Sequence, residues 1–310
     1  MIRPFRFGVQ CKSAASRKEW QELARKIEDL GYSTMTIPDH FDDQLGPTPA
    51  LMSAASATES LRVGALVWCN DYRHPVVFAK DMATLDLLSD GRLELGIGAG
   101  WMLSDYNEGG MAYDRPGIRI ERMVESVHIL KGLFGDDPFS YEGEHYTITD
   151  LNGTPKPVQR PHPPILIGGG GPRFLRLAGQ LANIVGINPN LAVGVIDERI
   201  GQDATAERYH EKISWVRDGA GDRFDEVELQ VRTFFVVPTE DRQGAAEAMA
   251  GAVGLTAEQA LGSPLALVGT PSQMAETLIE RRETFGFSYI VIGQAEVDAI
   301  APVVAELAGS

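Results

Sequence analysis

Apolar residues in this chain recur in short runs spaced about 30 residues apart, the length of one strand–helix unit. Four runs open the sequence: Phe5–Gln10, Thr34–Ile37, Arg62–Val67 and Leu93–Ile97. Between them the apolar period lengthens to that of a helix. Trp20, Leu23, Ala24, Ile27 and Leu30 form one such stripe, closed by Gly31. Ala50 to Thr58 reads as a small-residue helix, and Phe78, Met82, Leu85 and Leu88 mark a third stripe entered through Pro75. Ser89-Asp90-Gly91 is the turn into the fourth strand.

The later units are longer. Met123, Val127, Leu130 and Phe134 trace a fourth helix. Further strands are expected at Ile165–Ile167, Ile184–Ile187, Val231–Val237 and Tyr289–Ile292, and Pro271 opens a helix through Met274, Leu278 and Ile279. Stretches near 101–118, 136–164 and 251–269 interrupt the rhythm and read as insertions, the second with a hairpin around Tyr141–Ile148. Strands alternating with helices predict an α/β fold, a TIM-like (β/α)8 barrel occupying residues 1–310 as one domain. An open doubly wound sheet is the rival, but no separate second domain accompanies it.

Composition narrows the partners. The chain has 310 residues, 44% of them hydrophobic, with 43 acidic against 28 basic residues and a net charge of −15. Such a surface repels nucleic acid, while local arginines can still gather an anionic ligand. Cys11 and Cys69 form no metal or redox pattern and are expected as free thiols. No signal peptide is read at the N-terminus, and no apolar run reaches the ~20 residues needed to cross a bilayer. A soluble cytoplasmic protein without membrane or nucleic-acid partners is therefore expected.

The candidate chemistry lies at strand ends. Ile37-Pro38-Asp39-His40-Phe41 places an acid–imidazole pair at the C-terminal end of the second strand, where barrels of this type keep their active residues. His40 can gain or lose a proton near neutrality, and Asp39 is placed to orient it or to favour its charged form. Asp39, His40, Asp42 and Asp43 cluster, but HxH and HExxH are absent, so no metal site is expected. Gly168, Gly169, Gly170 and Gly171 stand between the fifth strand and a helix starting near Arg173. Backbone amides and the helix N-terminus there suit a phosphate; a flexible turn is the alternative. Gly96-Ile97-Gly98-Ala99-Gly100-Trp101 lacks dinucleotide-fingerprint spacing but offers a glycine-lined wall for a flat ring. Leu66 to Pro75 mixes bulky and polar residues, and a bulge there would push backbone into the barrel mouth. Arg73 and His74 either meet an anion or position the next helix. Lys12 is the sole lysine near a strand C-terminus, which disfavours Schiff-base chemistry, and GxSxG is absent.

The ordered motifs PDHF, NDYRHP, LSDGRLELGIGAGW and PPILIGGGGP resemble the luciferase-like monooxygenase superfamily, in particular its actinobacterial branch of deazaflavin (coenzyme F420)-dependent oxidoreductases. The resemblance runs from Phe5 to about Ile292. It implies a flavin or deazaflavin at the C-terminal mouth of the barrel. Asp39 and His40 would then be the catalytic pair beside the ring, with His40 as acid/base. Leu66–Val67 would fall at a cis peptide behind the ring, with Cys69 and Asn70 near its polar edge. Ala99 and Gly100 would line the cofactor and Gly168–Gly171 its phosphate. Trp101 stands where sugar-phosphate dehydrogenases of the branch carry a catalytic glutamate, so that activity is not carried over. Trp101, Tyr106 and Tyr113 are expected on the substrate side, and relatives suggest a homodimer.

The resulting expectation is hydride transfer between coenzyme F420 and a small organic substrate. An FMN- and oxygen-dependent monooxygenase is the first alternative, and a non-catalytic flavin-binding protein the second. A phosphate-binding isomerase or aldolase would need a strand-end lysine or glutamate that the sequence does not offer.

Overall fold

Parallel strands cannot be joined by tight turns, so each pair here is bridged by a helix that must bury its apolar stripe on the strands. The computed structural model describes residues 3–195 and 199–310. β1 (Arg6–Gln10), α1 (Arg17–Asp29), β2 (Thr34–Ile37), α2 (Pro47–Ala55) and β3 (Arg62–Ala65) form the first units. After a cis peptide at Leu66–Val67 the strand resumes as β4 (Trp68–Cys69), followed by α3 (Pro75–Leu88) and β5 (Leu93–Gly98). Next come α4 (Leu103–Glu108), α5 (Pro116–Phe134) and the antiparallel hairpin β6 (Phe139–Glu142) and β7 (Thr147–Leu151). Then follow β8 (Ile165–Gly169), α6 (Pro172–Leu181), β9 (Ile184–Ile187), α7 (Arg199–Gln202), α8 (Ala206–Ala220) and β10 (Glu228–Arg232). The chain ends with β11 (Phe235–Pro238), α9 (Arg242–Val253), α10 (Ala257–Gly262), β12 (Ala266–Gly269), α11 (Pro271–Phe285), β13 (Phe287–Gly293) and α12 (Val297–Leu307).

The sheet closes. Its order runs β3, β2, β1, β13, β10, β9, β8, β5, and β5 returns to β3 through Val63 opposite Leu93. With β3 and β4 counted as one broken strand, this is an eight-stranded parallel barrel of the TIM type. Helix starts carry the expected caps. Ser16 accepts from the Glu19 amide, and Thr270 forms a capping box with Gln273. Each such cap contributes about 1 kcal/mol. Pro75 opens α3, and His74 caps it by accepting from the Val76 amide at 3.3 Å. Positioning the helix is thus the role the structure gives His74.

Residues facing outward from the strands, such as Val9, Met35, Leu95 and Ile290, join the helices in the main core. The inward faces differ from floor to mouth. At the N-terminal floor, Arg6 bridges Glu94 and Glu228, Arg62 also holds Glu94, and the Arg6 guanidinium lies 3.6 Å from the Tyr289 ring centroid. A concavity of about 350 Å³ opens beneath this plug. Its lining charges are largely spent on one another, and this end of such barrels serves stability. Above it, Leu166, Ile184, Tyr289 and Val291 fill the interior, with Leu66 and Val67 packed on them.

Two strand boundaries differ from the sequence reading. The run Arg62–Val67 stops at Ala65, because the chain turns at the cis peptide. The run Val231–Val237 is two strands: Thr233 donates to Val291 in the barrel, while Phe234 and Phe235 donate to Leu265, so the chain switches sheets between them. β11 then pairs with β12, which gives the 251–269 stretch a strand of its own besides α10.

Candidate active site

The C-terminal ends of β2, the broken third strand, β5 and β8 meet at the barrel mouth. Pro38 ends the β2 run, and the two polar residues that follow diverge. Asp39 is buried, and its Oδ2 accepts from the Cys69 amide at 2.9 Å and from Arg73 Nη1 at 2.7 Å. Arg73 also donates to the Cys69 carbonyl at 3.3 Å. Asp39 therefore anchors the segment after the cis peptide, and Arg73 belongs to that anchor.

His40 has a different partner. Its Nδ1 donates to Asp105 Oδ2 at 2.7 Å, and Tyr72 Oη donates to the same oxygen at 2.9 Å. The Phe41 amide reaches Asp105 Oδ1 at 3.4 Å. The expected orientation of His40 by Asp39 is thus replaced by orientation from α4. An ionised carboxylate only accepts, so Nδ1 must carry hydrogen and Nε2 is left for a ligand. Trp101 meets the His40 ring edge-on, with centroids 5.6 Å apart. Asp105 escaped the sequence reading because it lies 65 residues away. The Leu103/Tyr106 spacing of a short helix was the one available signal.

Backbone forms the opposite wall. Gly100 has φ of 77°, and a Cβ there would lie 2.0 Å from Tyr106 Oη and 2.8 Å from Cys69 Sγ. Glycine alone suits both the conformation and the space. Tyr106 lies beneath this wall. It is fully buried and donates to Asp71 Oδ2 at 3.1 Å, while Arg122 clamps Asp71 at 2.9 and 2.7 Å. Its expected place on the substrate side is corrected accordingly: a phenol sealed under Gly100 cannot face substrate. Tyr113 is half-buried, donates to the Trp101 carbonyl at 2.8 Å and lies 4.0 Å from the Arg119 guanidinium, so it braces Trp101. Burial pushes the Cys69 thiol up to about 12.

Val67 joins the walls. Ideal Cβ positions on Gly98 and Gly168 lie 2.6 and 3.5 Å from its methyls, which brings the Leu66–Val67, Ala99–Gly100 and Gly168 segments around one space. Gly169 packs on Phe174, and Gly170 is pressed against the backbone of 188–190. Gly171 caps α6 without a side-chain bond, leaving the first amides of that helix for an anion. Arg173 and Arg176 are on the surface, paired with Glu121 at 2.9 Å and Asp218 at 3.5 Å.

A flat heteroaromatic ring with a carbonyl edge fits this set. Among the described residues, Asn70 Nδ2 and both side-chain amide atoms of Gln230 are buried without partners, Gln230 lying against Gly186. Among the described residues, no three His, Cys, Asp or Glu groups converge as metal ligands; Asp42 is taken by Lys12 at 3.3 Å. No helix among them is long and apolar enough to cross a membrane.

A closed parallel barrel with an oriented histidine and a glycine turn at its C-terminal mouth has the architecture of (β/α)8 proteins, which keep their chemistry at that end. The profile of the family described as luciferase-like monooxygenase matches residues 1–288, and the chain belongs to that family. It is 29% identical over 191 residues to an F420-dependent glucose-6-phosphate dehydrogenase of Microbacterium testaceum, covering 59% of this chain and 56% of that protein. It is 28% identical over 199 residues to an FMNH(2)-dependent dimethylsulfone monooxygenase of Pseudomonas putida, covering 61% and 54%. The match therefore spans about half the length of these curated relatives. In fold, the coenzyme F420-dependent tetrahydromethanopterin reductase of Methanopyrus kandleri superposes with a TM-score of 0.79 at 20% identity, covering 98% of both chains.

Proposed function

We propose that the protein is an oxidoreductase that uses a deazaflavin, coenzyme F420, with a small organic substrate. The observation that carries the proposal is the His40–Asp105 hydrogen bond at 2.7 Å, beside the wall built by Gly98, Ala99 and Val67. When bound, the deazaflavin would supply or accept the hydride. Leu66 and Val67 would back the ring, Asn70 would meet its polar edge, and Cys69, with Asp39 behind it, would hold that edge in place. Gly168 to Gly171 and the start of α6 would hold the phosphate. His40 Nε2 would give or take the substrate proton while Asp105 fixes the ring, and Trp101 would bound the substrate.

FMN is the second reading, favoured by the dimethylsulfone monooxygenase relative at 28% identity. Separate turnover assays with each reduced cofactor, with and without oxygen, decide between them. His40→Ala is expected to abolish turnover while cofactor affinity changes less than about threefold. Unchanged turnover in that variant would refute the assigned role. A homodimer completes the proposal. Val77, Leu87 and Leu88 are exposed on α3, and sedimentation equilibrium should give twice the chain mass.

A further inference from the structure

Several sheltered arginines in this chain are spent on carboxylates or on a set of backbone carbonyls. Arg6, Arg62, Arg73 and Arg122 sit on carboxylates within 2.9 Å. Arg281 gives three bonds to the carbonyls of Leu261, Ser263 and Ala266. Arg232 has a single backbone carbonyl and, among the described residues, no carboxylate partner. It stands at the C-terminal end of β10, in register with Val291 of the inward face, so its side chain enters the mouth. Nε donates to Gln10 Oε1 at 3.1 Å, and Nη1 donates to the neighbouring Thr233 carbonyl. Among the described residues, Nη2 has no acceptor and no carboxylate lies within 4.0 Å; Glu296 acts on the guanidinium only from farther off. Gln10 is itself fixed, since its Nε2 donates to the Leu66 carbonyl at 3.0 Å. One row of side chains therefore crosses the mouth from Arg232 through Gln10 to the segment behind the proposed ring.

A half-buried cation whose nearby carboxylate, Glu296, stands beyond ion-pair distance is incompletely compensated, and burial pulls this guanidinium down to about 10. An anion at Nη2 would relieve that cost. The surroundings indicate what the rest of the ligand is like. Nine large hydrophobic side chains are exposed in the described residues; four of them, Phe41, Val193, Val195 and Phe234, lie on the loops that follow β2, β9 and β10, and Phe235 opens β11. The Phe234 ring lies 4.8 Å from the Arg232 guanidinium. In a chain of net charge −15, a guanidinium with an open Nη2 beside the exposed Phe234 ring selects a molecule with an anionic head and an apolar body.

We infer that Arg232, held by Gln10, anchors the carboxylate of a small, otherwise apolar substrate across the mouth from His40. This deepens the oxidoreductase reading and rests on it. The cofactor keeps the glycine turn, and the substrate takes the β10 side.

Benzoate, neutral benzamide and inorganic phosphate serve as probes, titrated by calorimetry into the full chain with and without saturating deazaflavin. Benzoate should bind at least about tenfold more tightly than benzamide, the factor expected for one charge-assisted hydrogen bond. Arg232→Met should erase that preference, and Arg232→Lys should retain part of it, provided each variant keeps the wild-type melting temperature within a few degrees. Equal binding of benzoate and benzamide, or a preference that survives in Arg232→Met, overturns the inference. So does phosphate binding as tightly as benzoate, since the rim would then contribute nothing. If benzoate competes with the deazaflavin, Arg232 serves the cofactor and the inference fails. If the deazaflavin binds and benzoate does not, the substrate assignment fails while the redox reading stands.

Discussion

Asp105→Asn isolates the contact on which the proposed proton-handling role of His40 depends. The carboxylate is buried and accepts from His40 Nδ1 at 2.7 Å and Tyr72 Oη at 2.9 Å. A hydrogen bond to an ionised partner contributes about 1.5–3 kcal/mol. That corresponds to an about 10- to 150-fold preference for the tautomer bearing hydrogen on Nδ1. Asparagine keeps the shape but loses the charge, and its amide can turn to present a donor instead. The tautomer bearing hydrogen on Nε2 should then rise from below about a tenth of the population to a substantial fraction. The chain has six histidines, few enough for two-bond nitrogen–proton correlation spectra of histidine-labelled protein, with His40 assigned by its loss in His40→Ala. A wild-type spectrum dominated by the Nε2–H form would refute the reasoning, as would an Asp105→Asn spectrum identical to wild type.

Other substitutions probe the frame. Gly170→Ala places a Cβ 2.3 Å from the Asn188 carbonyl oxygen and 2.5 Å from the Pro189 carbonyl carbon. Backbone cannot yield as a side chain can, so a loss of about 1–3 kcal/mol is expected in urea unfolding, and a wild-type midpoint would contradict the packing described. Burial alone would raise the Glu94 carboxyl, but the Arg6 and Arg62 guanidinia bring it below its ordinary value of 4.5. Its stabilisation is therefore complete above that value and is lost as pH falls through the lower, folded-state value. Glu94→Gln should be less stable at neutral pH and should show a shallower stability decline below pH 4.5; an equally steep decline would exclude the floor plug as its source. Cys69, raised by burial to about 12, stays a thiol at pH 8, and Cys11 is buried as well. A disulfide-exchange reagent should label neither in the folded protein and both in denaturant; rapid labelling of the native chain would show the Gly100 wall to be open.

The barrel was legible because its units repeat a local code. β2 and β9 were read to the residue, and β1, β5, β8 and β13 to within two or three at their ends, because apolar runs bounded by turns need no distant information. Three features were not local. The split between β10 and β11 falls inside a continuous apolar run, and is set by acceptors at Val291 and Leu265 far along the chain. Asp39 and His40 are neighbours in sequence, yet Cys69 and Arg73 take one and Asp105 takes the other. Tyr106 has the composition of a pocket residue, but only the fold reveals that Gly100 seals it beneath the wall. Arg232 carried no motif at all; its meaning lies in lacking, among the described residues, the carboxylate partner that Arg6, Arg62, Arg73 and Arg122 possess.

Fluorescence titration of the purified protein with coenzyme F420 and with FMN, repeated on Gly170→Ala, tests the central claim most directly. Saturable one-to-one binding of the deazaflavin, tighter than that of FMN and weakened by the substitution, is the outcome the proposed function predicts. Binding of neither ring, or binding indifferent to the glycine turn, would contradict a redox cofactor seated between His40 and Gly168–Gly171.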